Sequence, residues 1–141
     1  MTKKRKTRAV DKSEYRDFLA KAKDFASMLD LALAEGKWNS AGLQAVHAVI
    51  SASDAVIVYY GGVRSVELDH REVVGLLHDI IGEAAATAGR HVSRVIAKKN
   101  LVEYEGRSIS QAEAREMAEH AKRFLEWVAG MLPRDRREES S

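Results

Sequence analysis

Residues 36–60 read GKWNSAGLQAVHAVISASDAVIVYY, and the fold turns on them. Glu35-Gly36-Lys37 reads as a turn and Trp38 as an anchor. Asn39 or Ser40 offers an N-cap side chain for a helix that follows. From Leu43 to Tyr60 the only formal charge is Asp54. Ala41, Ala45, Ala48, Ala52 and Ala55 form a stripe of small side chains, with Val46, Val49, Ile50, Val56 and Ile57 beside it. A segment this apolar belongs inside a protein. It predicts a central helix over about 39–60, stopped by Gly61-Gly62, with other helices packed around it.

Upstream, Tyr15, Phe18, Leu19, Ala22, Phe25, Ala26, Leu29, Ala32 and Leu33 recur at steps of three and four, opposite a face carrying Arg16, Lys21, Lys23, Asp24 and Asp30. That is an amphipathic helix, opened by Ser13 and ended by Gly36 as a left-handed C′ residue. Downstream, Val63–Leu68 reads as a loop and Asp69 with Glu72 as a capping box. A third helix follows through Val73, Leu76, Leu77 and Ile80. The glycine-flanked stretch 82–89 marks a break, and Val92, Val95 and Ile96 begin a fourth helix reaching Tyr104. Ser110 and Glu113 form a second capping box ahead of a last helix whose buried stripe runs from Ala114 through Phe124 to Met131. Pro133 ends it. The expected organisation is a basic disordered arm over 1–12, an all-α up-and-down bundle of four to five helices over 13–132, and a charged tail over 133–141.

At 141 residues the chain is one domain by size, large enough to bury a core without staples. It has no cysteine, which excludes disulfides and thiolate metal sites and suits a cytoplasmic location. Polar residues within 41–60 make a poor membrane span, and no apolar signal core follows the N-terminal charges, so no membrane association is expected. The net charge is +2. Lys3, Lys4, Arg5, Lys6 and Arg8 contribute +5, leaving −3 for the rest. Such an arm suits either solvent or a salt-dependent contact with nucleic-acid phosphates.

Several side chains are candidates for chemistry. His47 is expected to be a core histidine with one hydrogen-bond partner. Asp54, an isolated carboxylate in an apolar helix, needs a neighbouring helix, a dimer mate or a way out to water. Tyr59, Tyr60, Trp38 and Trp127 fit half-buried helix ends. Arg64 with His70, at a loop and a helix start, is a candidate groove pair. Arg115 with His120 lies within one helix at a spacing that does not stack. His70 and His78 are too far apart for a metal site, and no cofactor is expected. The densest basic cluster outside the arm is Arg90, Arg94, Lys98, Lys99 and Arg107. With Asn100, Glu103 and Tyr104 it is the preferred site.

The order of these elements resembles the HEPN superfamily. The resemblance rests on Lys21-Ala22 with Phe25-Ala26 followed by Ala34-Glu35-Gly36-Lys37-Trp38-Asn39-Ser40-Ala41; on the small-residue helix 48–55 with Gly61-Gly62 and His70; and on Lys99-Asn100-Leu101-Val102-Glu103-Tyr104 ahead of 110–132. It implies a helical bundle that usually dimerises, in a family rich in RNA-cutting enzymes, toxins and partners of minimal nucleotidyltransferases. Catalytic members carry an Arg, often followed by Asn, and a His four to six residues later. Here Lys99-Asn100 and Tyr104 stand in those places. Lys offers a phosphate only a point charge where Arg gives a fork, and Tyr exchanges protons near neutral pH far less readily than His. The expected function is therefore RNA or partner binding in a toxin–antitoxin or defence setting, as a homodimer facing RNA, a nucleotidyltransferase or an antitoxin. The RNA contacts would be Arg90, Arg94, Lys98, Lys99, Asn100 and Arg107. Two alternatives stand beside it. One is a metal-independent endoribonuclease using Lys99, Tyr104 or His70 across a dimer groove; the other is a purely structural interaction domain.

Overall fold

A computed structural model describes residues 6–66 and 72–134, with the backbone alone over 101–104. Five helices run through it: α1 (Tyr15–Ala34), α2 (Trp38–Gly61), α3 (Glu72–Ile81), α4 (Ala86–Glu105) and α5 (Gln111–Met131). The domain is an all-α bundle, as the patterning predicts. Its centre is α2, which packs against the four other helices. Thirteen residues of α2 are buried, from Ala41 to Val58. By length and composition α2 is apolar enough to cross a membrane, but its side chains are covered by the other helices. The largest fully buried side chains are Phe124, Leu29, Leu77, Ile96 and Met117 from the surrounding helices and Ile57 from α2 itself. Ser53, also fully buried, donates its hydroxyl to Val49 O at 2.7 Å, so it leaves no polar group unsatisfied.

The α1–α2 connection closes as a Schellman motif. Gly36 has φ +70°, its N–H reaches Leu33 O, and Lys37 N–H reaches Ala32 O at 2.9 Å. At the start of α2 the expected cap is replaced. The helix begins at Trp38, which puts Lys37 at the cap position and Asn39 inside the first turn, and no side chain caps it. At the start of α1, Asp11 rather than Ser13 is the capping side chain; it accepts from Ser13 N–H at 2.9 Å and opens a 3-10 turn, Lys12–Glu14. The break expected over 82–89 is narrower than that: Gly82, at φ +87°, and the 3-10 turn Glu83–Ala85 separate α3 from α4, and residues 86–89 are already helical. The capping box of α5 is present: Ser110 accepts from Glu113 N–H, and Glu113 accepts from Ser110 N–H, both at 3.1 Å. Asp69, expected to cap α3, lies outside the described residues.

Two expectations are corrected. The arm expected to be disordered through residue 12 is paired from Thr7, where β1 (Thr7–Ala9) lies antiparallel to β2 (Val63–Ser65), a stretch expected to be loop. Gly62 explains the ribbon. Its φ of +61° ends α2 with a bond to Val58 O and turns the chain back, and its carbonyl accepts Val10 N–H at 2.9 Å. Val10 and Val63 then pack against the core. Three-residue strands rich in cations carry no readable periodicity, so the ribbon depends on tertiary contacts alone.

Candidate functional site

Part of the preferred site gathers at one end of the bundle, where α4 finishes, residues 106–110 cross over, and α5 and α2 begin; Arg90 and Arg94 do not join it, lying 15 and 11 residues before the last residue of α4, about 22 and 16 Å back along the helix. Asn39 holds this end together. Its side-chain oxygen accepts Ile109 N–H at 2.7 Å, and its amide approaches Ser108 Oγ at 3.4 Å. Ile109 is buried against Gly42, where a Cβ would strike the Ile109 Cδ1 atom and lie 3.4 Å from Met117 Sδ. Asn39 and Gly42 thus serve the crossover to α5.

The cations of this region are largely engaged. Arg107 meets both Glu113 oxygens through its two terminal nitrogens, at 2.7 and 2.8 Å, and Glu105 through Nε at 2.9 Å. Lys98 approaches Glu113 from the other side at 3.5 Å. The hydrogen bonds from Arg107, then the cap N–H of Ser110, hold the Glu113 carboxyl well below the usual carboxylate range. The same bonds, with that of Glu105, strengthen the proton affinity of Arg107. Glu113 is therefore the hub of a clamp that the sequence shows only as half of a capping box. An incoming phosphate would have to displace a carboxylate already held bidentately. Arg90 and Arg94 are exposed one turn apart on α4; Arg90 donates to Thr87 Oγ1 at 3.1 Å. Lys99 and Asn100 are half-buried. Tyr104 belongs to α4, its side chain outside the described part, and His70 lies outside the described residues.

Farther along the bundle, α4 and α5 bring together a pair that sequence spacing conceals. His91 Nδ1 and His120 Nδ1 stand 2.9 Å apart, so one donates and the other accepts. Glu116 reaches the far side of the His120 ring at 3.7 Å. Burial and the facing His120 push the His91 imidazole below its ordinary value. Arg115, which the sequence sets beside His120, instead lies over the Trp38 ring, 5.5 Å from its centroid. His47 departs from expectation in another way. It is exposed, its ring tilted 31° against that of Phe25 with centroids 5.1 Å apart. Among the described residues no group of three or more metal-binding side chains converges.

The other end of α2 holds a second charged group. Asp54 is 6% exposed and its carboxylate lies 3.7 Å from Arg64 Nε. Burial raises the Asp54 carboxyl to about 6, against the opposing pull of Arg64 and Lys21. The Arg64 guanidinium lies 4.8 Å from the Phe18 ring centroid, and Lys21 Nζ 5.6 Å from it. The contact Asp54 needs therefore comes from a strand next to its own helix.

No curated protein and no solved structure shows significant similarity to the chain. The HEPN domain profile, however, matches residues 15–132, which run from the first residue of α1 to just beyond the last of α5. With the match spanning the whole helical bundle, the chain belongs to the HEPN family.

Proposed function

We propose that this HEPN domain is an RNA- or partner-binding module of a toxin–antitoxin or defence system, without strong nuclease activity. The observation that carries the reading is the state of the α4 end. Lys99 and Tyr104 stand where the resemblance places Arg and His, and the nearest guanidinium, Arg107, is held on both forks by Glu113 and Glu105. A phosphate clamp needs an uncommitted bidentate donor, and a proton shuttle needs a group titrating near neutral pH. The exposed guanidiniums of Arg90 and Arg94 suit backbone contact rather than cleavage.

Assembly with a second copy is part of the proposal. Met28 and Leu31 near the end of α1 and Leu43 near the start of α2 flank the Gly36 turn with their apolar side chains about half exposed. Incubation of the purified protein with labelled single-stranded RNA, with and without Mg²⁺, tests the reading. Salt-sensitive binding without turnover is expected. Cleavage abolished by Lys99→Ala or Tyr104→Phe refutes the absence of nuclease chemistry. Absence of RNA binding together with salt-insensitive capture of a protein partner favours a purely structural module.

A further inference from the structure

In the β1–β2 ribbon Arg8 and Arg64 are direct cross-strand partners. Residues so placed project from the same face with their Cβ atoms about 5 Å apart, and like charges there are destabilising. Natural ribbons put opposite charges or β-branched pairs at such positions. Arg64 is moreover fixed from behind. Its Nε faces the buried Asp54 carboxylate and its plane lies against Phe18, while the side chain remains 40% exposed. A buried acid behind an arginine sets the direction of the guanidinium fork, so little ordering remains to be done when the outer nitrogens meet an anion. Lys21 approaches the same Phe18 ring, and Lys6 lies at the end of the ribbon, its carbonyl accepting Val66 N–H.

We propose that Arg8 and Arg64, with Lys21 beside them, form a second phosphate-binding site that takes a backbone phosphate of a nucleic acid, with Asp54 as the positioning residue behind Arg64. The site lies far from the α4 end. Asn39 and Asp54, which Arg64 faces, are separated by 15 residues of α2, which at ~1.5 Å each is about 22 Å. A strand engaged at both ends would therefore run along the bundle. The identity of the polymer rests on the RNA-binding reading above; the site itself rests on the ribbon.

The test compares binding of a labelled single-stranded RNA to the full chain and to Arg8→Ala, Arg64→Lys and Arg94→Ala across about 50 to about 200 mM salt. Circular dichroism checks that each variant is folded. Arg8→Ala is expected to weaken binding several-fold and to lower the slope of log K against log salt by about 0.7, the value of one single-strand phosphate contact. Arg64→Lys keeps the charge and the Asp54 attraction but loses the fork, so it is expected to weaken binding with the slope unchanged. If both variants bind like the wild type, the proposal is overturned. If they alone lose binding while Arg94→Ala does not, this site stands and the exposed face of α4 around Arg94 is not the RNA surface. If only Arg94→Ala loses binding, the ribbon site falls and the α4 reading survives. Failure of the wild type to bind RNA overturns both, as does binding to anionic-lipid vesicles in its place.

Discussion

Asp54→Asn is the perturbation whose outcome the structure specifies most fully. The carboxyl titrates at about 6 in the fold against an ordinary 3.8, chiefly because it is buried. A group whose folded value is raised contributes its stability at low pH and loses it as pH rises through the folded value. Below about 3.8 both states are protonated and nothing is lost. Between there and about 6 the folded chain keeps a proton that the unfolded chain has released, so stability falls. Above it the loss is complete. At about 1.36 kcal/mol per pH unit the ionised form costs about 3 kcal/mol, an upper figure. Asparagine resembles the protonated acid in shape and removes the charge. No described group hydrogen-bonds the Asp54 carboxylate, and the Arg64 contact of 3.7 Å is a Coulomb attraction already contained in the raised value. Asp54→Asn is therefore expected to stabilise the domain by up to about 3 kcal/mol near pH 8, roughly 10 °C in Tm, and by under about 1 kcal/mol near pH 4. Urea unfolding of both proteins across that range measures the difference. His91, whose lowered value acts in the opposite direction, is common to both and cancels. A variant less stable than wild type at pH 8, or a difference that does not grow with pH, would refute the account of Asp54 as a buried, incompletely compensated charge.

Other outcomes follow from the same coordinates. Asn39→Ala leaves the partly buried Ile109 N–H without its acceptor, an expected cost of about 1–2 kcal/mol by chemical denaturation, with faster amide exchange at residue 109. Gly42→Ala drives a methyl against Ile109 and is expected to cost about 1–3 kcal/mol in the same measurement. Glu113→Gln releases Lys98 and Arg107 from their shared carboxylate; RNA affinity is expected to rise several-fold, read by fluorescence anisotropy at fixed salt. An NMR titration is expected to show His91 taking up its proton below the ordinary histidine value, and His120→Ala to bring it back toward that value.

The helical frame was legible because burial leaves a periodic trace. The apolar run of 41–60, the Gly36 stop and the Ser110–Glu113 box each correspond to a local physical requirement, and each is met. Partnerships between distant residues leave no such trace. Asn39 looked like a helix cap because its neighbours are helical, yet its partner is 70 positions away. Nothing in the spacing of His91 and His120 indicates contact, and Arg115 misdirects by being nearer in sequence. Arg107 and Lys98 read as available cations because cations are counted one at a time, while the carboxylate that engages them is a helix cap in its own right. The ribbon was missed for a compositional reason: charge density at the N-terminus resembles that of a solvated tail, and only Val10 and Val63 hint otherwise.

The hydrogen bond from the Tyr60 hydroxyl to Met131 O fastens the last turn of α5 to the last turn of α2, beside the place where Gly62 receives β1. The first and last described stretches of the chain are thus moored at one pole of the domain, and the loop 106–110 occupies the opposite pole. Anything joined covalently at Lys6 or Arg134, the first and last described residues, whether another domain, a fluorophore or a surface linker, would hang from the ribbon side. A domain immobilised in this way presents its α4–α5 turn outward, whereas one approached in solution offers both poles. Comparing tethered with free protein in the same RNA assay would therefore separate the contributions of the two poles without changing a single residue.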